Sequence, residues 1–100
     1  MATEDYNKFL REELQDPEVA AEYLSAALED GSIDQFLLAL KNVADSHGGI
    51  GVLAGITELN RQNMYKTLSE DGNPTLHSLL LILGALGMRL ACEPRENEAA

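Results

Sequence analysis

The amino-acid sequence predicts an all-α fold, a small bundle of five or six helices, and three observations point there. Apolar residues recur at helical spacing along most of the chain, helix start and stop residues bracket those stripes, and no internal repeat or linker interrupts them. With 100 residues and 45% hydrophobic content, the chain has the size of a single domain over 1–100 with one modest core.

Positions 5–14 place Tyr6, Phe9, Leu10 and Leu14 on one stripe, which Gln15-Asp16-Pro17 ends. Asp16 is the expected N-cap of a second helix, with Pro17 in the first helical place and Glu18 beside the positive end of the dipole. That helix carries Val19, Ala20, Tyr23, Leu24, Ala27 and Leu28 as far as Gly31. Ser32-Ile33-Asp34-Gln35 has the form of a capping box and opens a third helix, with Phe36, Leu37, Leu40, Val43 and Ala44 inward and Gly48-Gly49 at its end.

Shorter elements follow. Ile50 to Ile56 leaves room for about two turns, Asn60 is placed to cap a helix running to about Ser69, and Glu70-Asp71-Gly72-Asn73-Pro74 is a dense turn signal. The final helix, about Thr75 to Leu86, has Leu76, Leu79, Leu80, Ile82, Leu83 and Leu86 around most of its circumference, which suits the centre of a core or a subunit interface. Gly87 supplies its stop. Met88, Leu90 and Cys92 then alternate with Arg89, Ala91 and Glu93, so 88–93 is a short edge-strand candidate, and the polar residues 94–100 are expected to be a disordered tail. Within one domain this makes acidic N-terminal helices (5–31), a helical bundle (32–87), the strand candidate and the tail.

Charge is unevenly spread. The net charge of −10 opposes nucleic-acid binding, because attraction to phosphates supplies most sequence-independent affinity. Residues 1–34 hold ten acids and two bases, residues 35–69 two acids and three bases, and residues 70–100 five acids and two bases, so only the middle is not repelled by DNA. No run of about 18 apolar residues and no signal-peptide pattern occurs, so a cytoplasmic protein with no membrane contact is expected. A single cysteine, Cys92, excludes an internal disulfide and reads as a small apolar side chain near the end of the fold.

The middle contains Leu53-Ala54-Gly55-Ile56-Thr57-Glu58-Leu59-Asn60-Arg61-Gln62-Asn63-Met64-Tyr65-Lys66-Thr67-Leu68. A helix-turn-helix needs a small residue midway along its first helix so that the second can cross closely, and Ala54 meets this. It also needs apolar residues on both sides of the turn, and Leu53, Leu59, Met64 and Leu68 meet that. Met64 and Leu68 are four apart and face inward together, leaving Arg61, Gln62, Asn63, Lys66 and Thr67 outward or flanking. These are side chains that read DNA: arginine pairs with guanine, asparagine or glutamine with adenine, lysine and threonine with the backbone. The candidate reading surface is therefore Asn60, Arg61, Gln62, Asn63, Tyr65, Lys66 and Thr67, with Tyr65 expected to be half-buried and its hydroxyl within reach of a phosphate.

Over about residues 14–94 the chain resembles the addiction-module antidote proteins of the HigA type. The resemblance is carried by the Asp16-Pro17-Glu18 start with Tyr23-Leu24, by Arg61 to Tyr65, and by Leu68-Ser69-Glu70-Asp71-Gly72-Asn73-Pro74-Thr75. It implies a Cro/repressor-like DNA-binding part of the lambda-repressor-like (XRE-like) type. It also implies a bacterial antitoxin that binds a cognate toxin, often an RNA-cleaving RelE/ParE-like protein, and represses its own operon as a homodimer on double-stranded operator DNA. One departure stands out, since that family often has glycine in the turn where this chain has Glu58. A left-handed backbone there costs a non-glycine residue about 1 kcal/mol.

Nothing in the sequence points to an enzyme or a cofactor. Glu12-Glu13, Glu29-Asp30 and Glu70-Asp71 are adjacent pairs that diverge on a helix, with no His or Lys placed beside them as a catalytic partner. His47 and His77 lack a second ligand at i+3 or i+4, and Gly48-Gly49-Ile50-Gly51 follows a helix and lacks the Lys-Ser/Thr of a phosphate loop. Two other readings of the chain stand beside the antitoxin: a protein-interaction module whose acidic N-terminal region binds a basic partner with weak or no DNA binding, and a stand-alone phage-type repressor.

Overall fold

The computed structural model describes residues 2–29, 31–57, 61–68 and 72–95. Among them the chain forms six helices and no strand: α1 (Ala2–Glu13), α2 (Pro17–Glu29), α3 (Ile33–Ser46), α4 (Ile50–Thr57), α5 (Arg61–Thr67) and α6 (Leu76–Ala85). None is long and apolar enough to cross a membrane.

Local chemistry sets most of the boundaries. The Asp16 carboxylate accepts the Glu18 N–H at 2.9 Å and its carbonyl accepts the Ala20 N–H, so Asp16 caps α2 with Pro17 just inside. Ser32 has extended backbone and its hydroxyl accepts the Gln35 N–H at 3.2 Å, the same device at the start of α3. Thr75 does this for α6 through the Ser78 N–H at 3.1 Å. At the other ends, Gly31, Gly48, Gly49 and Gly87 hold φ between 80° and 102°, a region that other residues enter at a cost. The α6 ending is a complete Schellman motif, with the Gly87 N–H on the Gly84 carbonyl and the Met88 N–H on the Leu83 carbonyl.

Packing is organised by α3, which touches α1, α2 and α4, while α4 also carries α5 and α6. One apolar core joins all six helices, including Leu14 after α1, Leu24, Leu37, Leu40, Val43, Leu53, Met64, Leu68, Ile82 and Leu86. The Asn42 amide donates to the Tyr23 hydroxyl at 2.8 Å, joining α2 to α3, and within α3 the buried Ser46 hydroxyl donates to the Val43 carbonyl at 2.6 Å. His47 turns its Nδ1 back to within 3.1 Å of the Val43 carbonyl, which completes the end of α3.

Several expectations are corrected. Residues 88–93 form no strand; they are irregular chain, because a strand needs a neighbour to pair with and no described segment lies in register beside them. Cys92 is exposed rather than packed, since the last core contact before it is Met88. The α1 stripe is only half inward: Leu10 and Leu14 reach the core, whereas Tyr6 and Phe9 are 62% and 57% exposed, because α1 meets the bundle chiefly through α3. Likewise α6 buries Ile82 and Leu83, and Leu86 just beyond it, but leaves Leu76 and Leu80 in solvent. Of the expected tail, Pro94 and Arg95 are irregular, and residues 96–100 lie outside the described residues.

This division yields a test by denaturant unfolding. Leu40→Ala, at a fully buried position, should cost about 2–5 kcal/mol, whereas Leu76→Ala at its exposed position should stay within about 0.5 kcal/mol of the parent chain.

Candidate nucleic-acid interface

Helices α4 and α5 pack against each other, and the sequence at their junction explains how. Leu53 is fully buried and the small Ala54 nearly so. The Thr57 hydroxyl at the end of α4 donates to the Leu53 carbonyl at 2.8 Å, and its oxygen lies 3.9 Å from Met64 Sδ on α5. Sequence reasoning missed Thr57, and its only signal was its position three residues ahead of the expected cap.

In α5 the inward residue is Met64, followed one turn later by Leu68, and both are about 1% exposed. Successive helical residues rotate by about 100°, so Gln62 and Lys66 fall on the opposite side and Asn63 on one flank, and all three are exposed. Tyr65 flanks them at 50% exposure, and Thr67 is half-buried on the other flank. The structure thus brings Gln62, Asn63, Tyr65 and Lys66 onto one open surface, while Thr67 is turned toward the bundle. Arg61 begins α5, its side chain lies outside what is described, and Glu58, Leu59 and Asn60 lie outside the described residues.

The loop after α5 is held by close approach. A Cβ on Gly72 would run into the Thr67 carbonyl, so the chain passes over the end of α5 at a distance only glycine permits, with no left-handed backbone involved. The turn signal at 70–74 was legible, but this contact was not.

Of the three bases between 35 and 69, Lys41 sits on α3 and pairs with Asp45 at 3.2 Å, while Arg61 and Lys66 belong to α5. On another side of α4, Ile56 (60% exposed) and Leu80 of α6 (46% exposed) line a shared apolar groove floored by Gly84 and Ala85.

Two glycines with opposite surroundings make a paired test. Gly72→Ala should destabilise by about 1–3 kcal/mol through the clash with Thr67, while Gly84→Ala, helical and with open space at the added carbon, should stabilise by about 0.5–1 kcal/mol. Thermal melts of the two variants beside the parent chain check both signs.

Comparison with known proteins adds the family. A family model described as "Probable addiction module antidote protein" matches residues 5–94. The chain is also similar to a protein of Haemophilus influenzae (strain ATCC 51907 / DSM 11121 / KW20 / Rd) described as uncharacterized, with 30% identity over 67 residues, which cover 67% of this chain and 68% of that one. No solved structure matches the chain. Matched from α1 through the segment beyond α6, the chain belongs to the family of addiction module antidote proteins, whose partners are toxins.

Proposed function

We propose that this protein is a cytoplasmic, sequence-specific DNA-binding antitoxin with a lambda-repressor-like helix-turn-helix, which represses its own operon as a homodimer and neutralises a cognate toxin of the RelE/ParE-like class. The observation that carries the DNA-binding half is α5 itself, where Met64 and Leu68 are sealed in the core while Gln62, Asn63 and Lys66 stand in solvent. A helix anchored by one face and polar on the other fits the major groove, and Arg61, Gln62 and Asn63 at its start are the side-chain types that pair with base edges.

Electrostatics shape how it binds. With a net charge of −10, sequence-independent affinity is weak, so useful binding depends on base contacts and on two copies acting together. In a dimer the two α5 helices enter successive major grooves about 34 Å apart, on a near-palindromic operator. The dimer surface lies within Thr75 to Glu93, where α6 leaves Leu76 and Leu80 exposed.

The toxin-binding half rests on α1 and α2. Tyr6 and Phe9 project from α1 among exposed Asp5, Glu12 and Glu13, and α2 adds exposed Glu18, Glu22 and Glu29. Exposed aromatic side chains ringed by acids suit a basic protein partner, for which the rings supply buried anchors and the carboxylates steer the encounter.

Both halves are testable with upstream operon DNA and the product of the neighbouring reading frame. Arg61→Ala combined with Gln62→Ala should abolish preference for the operator in an anisotropy titration, and Lys66→Ala should weaken binding to all DNA alike and lower the salt slope by about 1. Unchanged operator preference in the double variant would reject α5 as the reading helix. Tyr6→Ala with Phe9→Ala should raise the toxin dissociation constant about tenfold or more while leaving DNA binding in place. If the parent chain binds the neighbouring protein but no DNA, the function is that of an interaction module.

A further inference from the structure

We propose that residues 88–93 pair antiparallel with the same residues of a second copy, forming a two-fold β-ribbon centred on Ala91 that joins the homodimer. This rests on the homodimer of the proposed function and specifies its contact.

The Schellman ending of α6 redirects the chain at Gly87 and ties the Met88 N–H to the Leu83 carbonyl, so the segment leaves the core from a fixed point. Beyond it, residues 89–93 are exposed, and among the described residues no backbone hydrogen bond reaches them. The segment forms one wall of a groove of about 510 Å³, whose apolar lining includes Leu24, Leu28, Phe36, Leu83, Met88 and Leu90. Leu28 and Leu90 are 51% and 41% exposed there. A lone two-stranded ribbon is marginal in water, and an apolar surface beneath it supplies the burial it lacks.

The occupant is set by charge and register. The segment alternates Met88, Leu90 and Cys92 with Arg89, Ala91 and Glu93. Antiparallel pairing about Ala91 places Arg89 opposite the second copy's Glu93 and Glu93 opposite the second copy's Arg89, with Leu90 opposite Cys92 on the other face, also twice. Opposite charges directly across a ribbon stabilise it and like charges destabilise it. Parallel in-register pairing would set Arg89 against Arg89. Antiparallel pairing centred on Cys92 would set Arg89 against Arg95, and pairing centred on Leu90 would leave Arg89 opposite Ala91. Only the register about Ala91 uses both charges. Pro94 has no N–H to continue the ladder and closes the ribbon at its edge. The arrangement is isologous, each strand meeting its own copy, as a closed dimer requires.

The test is sedimentation velocity on the full chain. Arg89→Glu and Glu93→Arg should each raise the dimer dissociation constant about tenfold or more, because each converts two attractive pairs into two repulsive ones. An equimolar mixture of the two variants should restore association, since every cross-strand pair in the mixed dimer is again attractive, and the double variant should associate like the parent. Leu38→Glu, at an exposed position on α3 outside the dimer surface, should leave association unchanged. Single variants that dimerise like the parent, or a mixture that does not recover, would overturn the ribbon. A parent chain that is monomeric at tens of micromolar removes the dimer and the ribbon together, whereas a dimer split by Leu80→Glu and not by Arg89→Glu removes the ribbon alone.

Discussion

Helix α3 packs against α1, α2 and α4, and the burial of its apolar face governs the rest of the molecule. Phe36, Leu37, Ala39, Leu40, Val43 and Ala44 fall within about 160° of arc on a 14-residue helix, a single broad face wider than one neighbouring helix covers. Its neighbours are therefore obligatory. The Gly48-Gly49 pair after it, both with positive φ, reverses the chain within two residues so that α4 returns onto α3. From α4 the remaining elements follow, since α5 and α6 both dock on it. In a chain of 100 residues the surplus stability is small, and each of these contacts is a sizeable share of it.

That arrangement also separates charge. The ten acids before residue 35 fall mostly on α1 and α2, on the α3 side of the bundle, whereas α5 is carried by α4 and contains no acid. An acidic antidote can therefore hold a locally non-acidic helix without neutralising it. The Lys41–Asp45 pair on α3 is exposed and contributes a few tenths of a kcal/mol at most, about 0.3–0.5 for such i, i+4 pairs.

Boundaries were the most legible feature. Asp16, Ser32 and Thr75 cap helices because a short side-chain oxygen reaches an N–H two or three residues ahead, a contact that depends on nothing distant. The inward pair Met64 and Leu68 was legible for a related reason, since spacing of four residues defines a face. Less legible was how much of each apolar stripe would be covered. Tyr6, Phe9, Leu76 and Leu80 obey the same periodicity as their buried neighbours, and the periodicity does not state how far a packing partner extends along the helix. The segment 88–93 shows the same limit from the other side: its alternation is that of a strand, yet pairing needs a second strand that the described chain does not bring to it.

By itself the sequence determined the helices, the caps of α2, α3 and α6 and the glycine stops behind them, the core face of α3, and the polar face of α5, because each follows from interactions within four or five residues. Only the tertiary structure decided that α1 projects two aromatic rings into solvent, that Gly72 is required by the Thr67 carbonyl rather than by a left-handed turn, and that Ile56 and Leu80 share an exposed groove. The reason is common to all three. Each depends on where a second element ends relative to the first, and that is set by packing between residues distant in sequence, which no local pattern records.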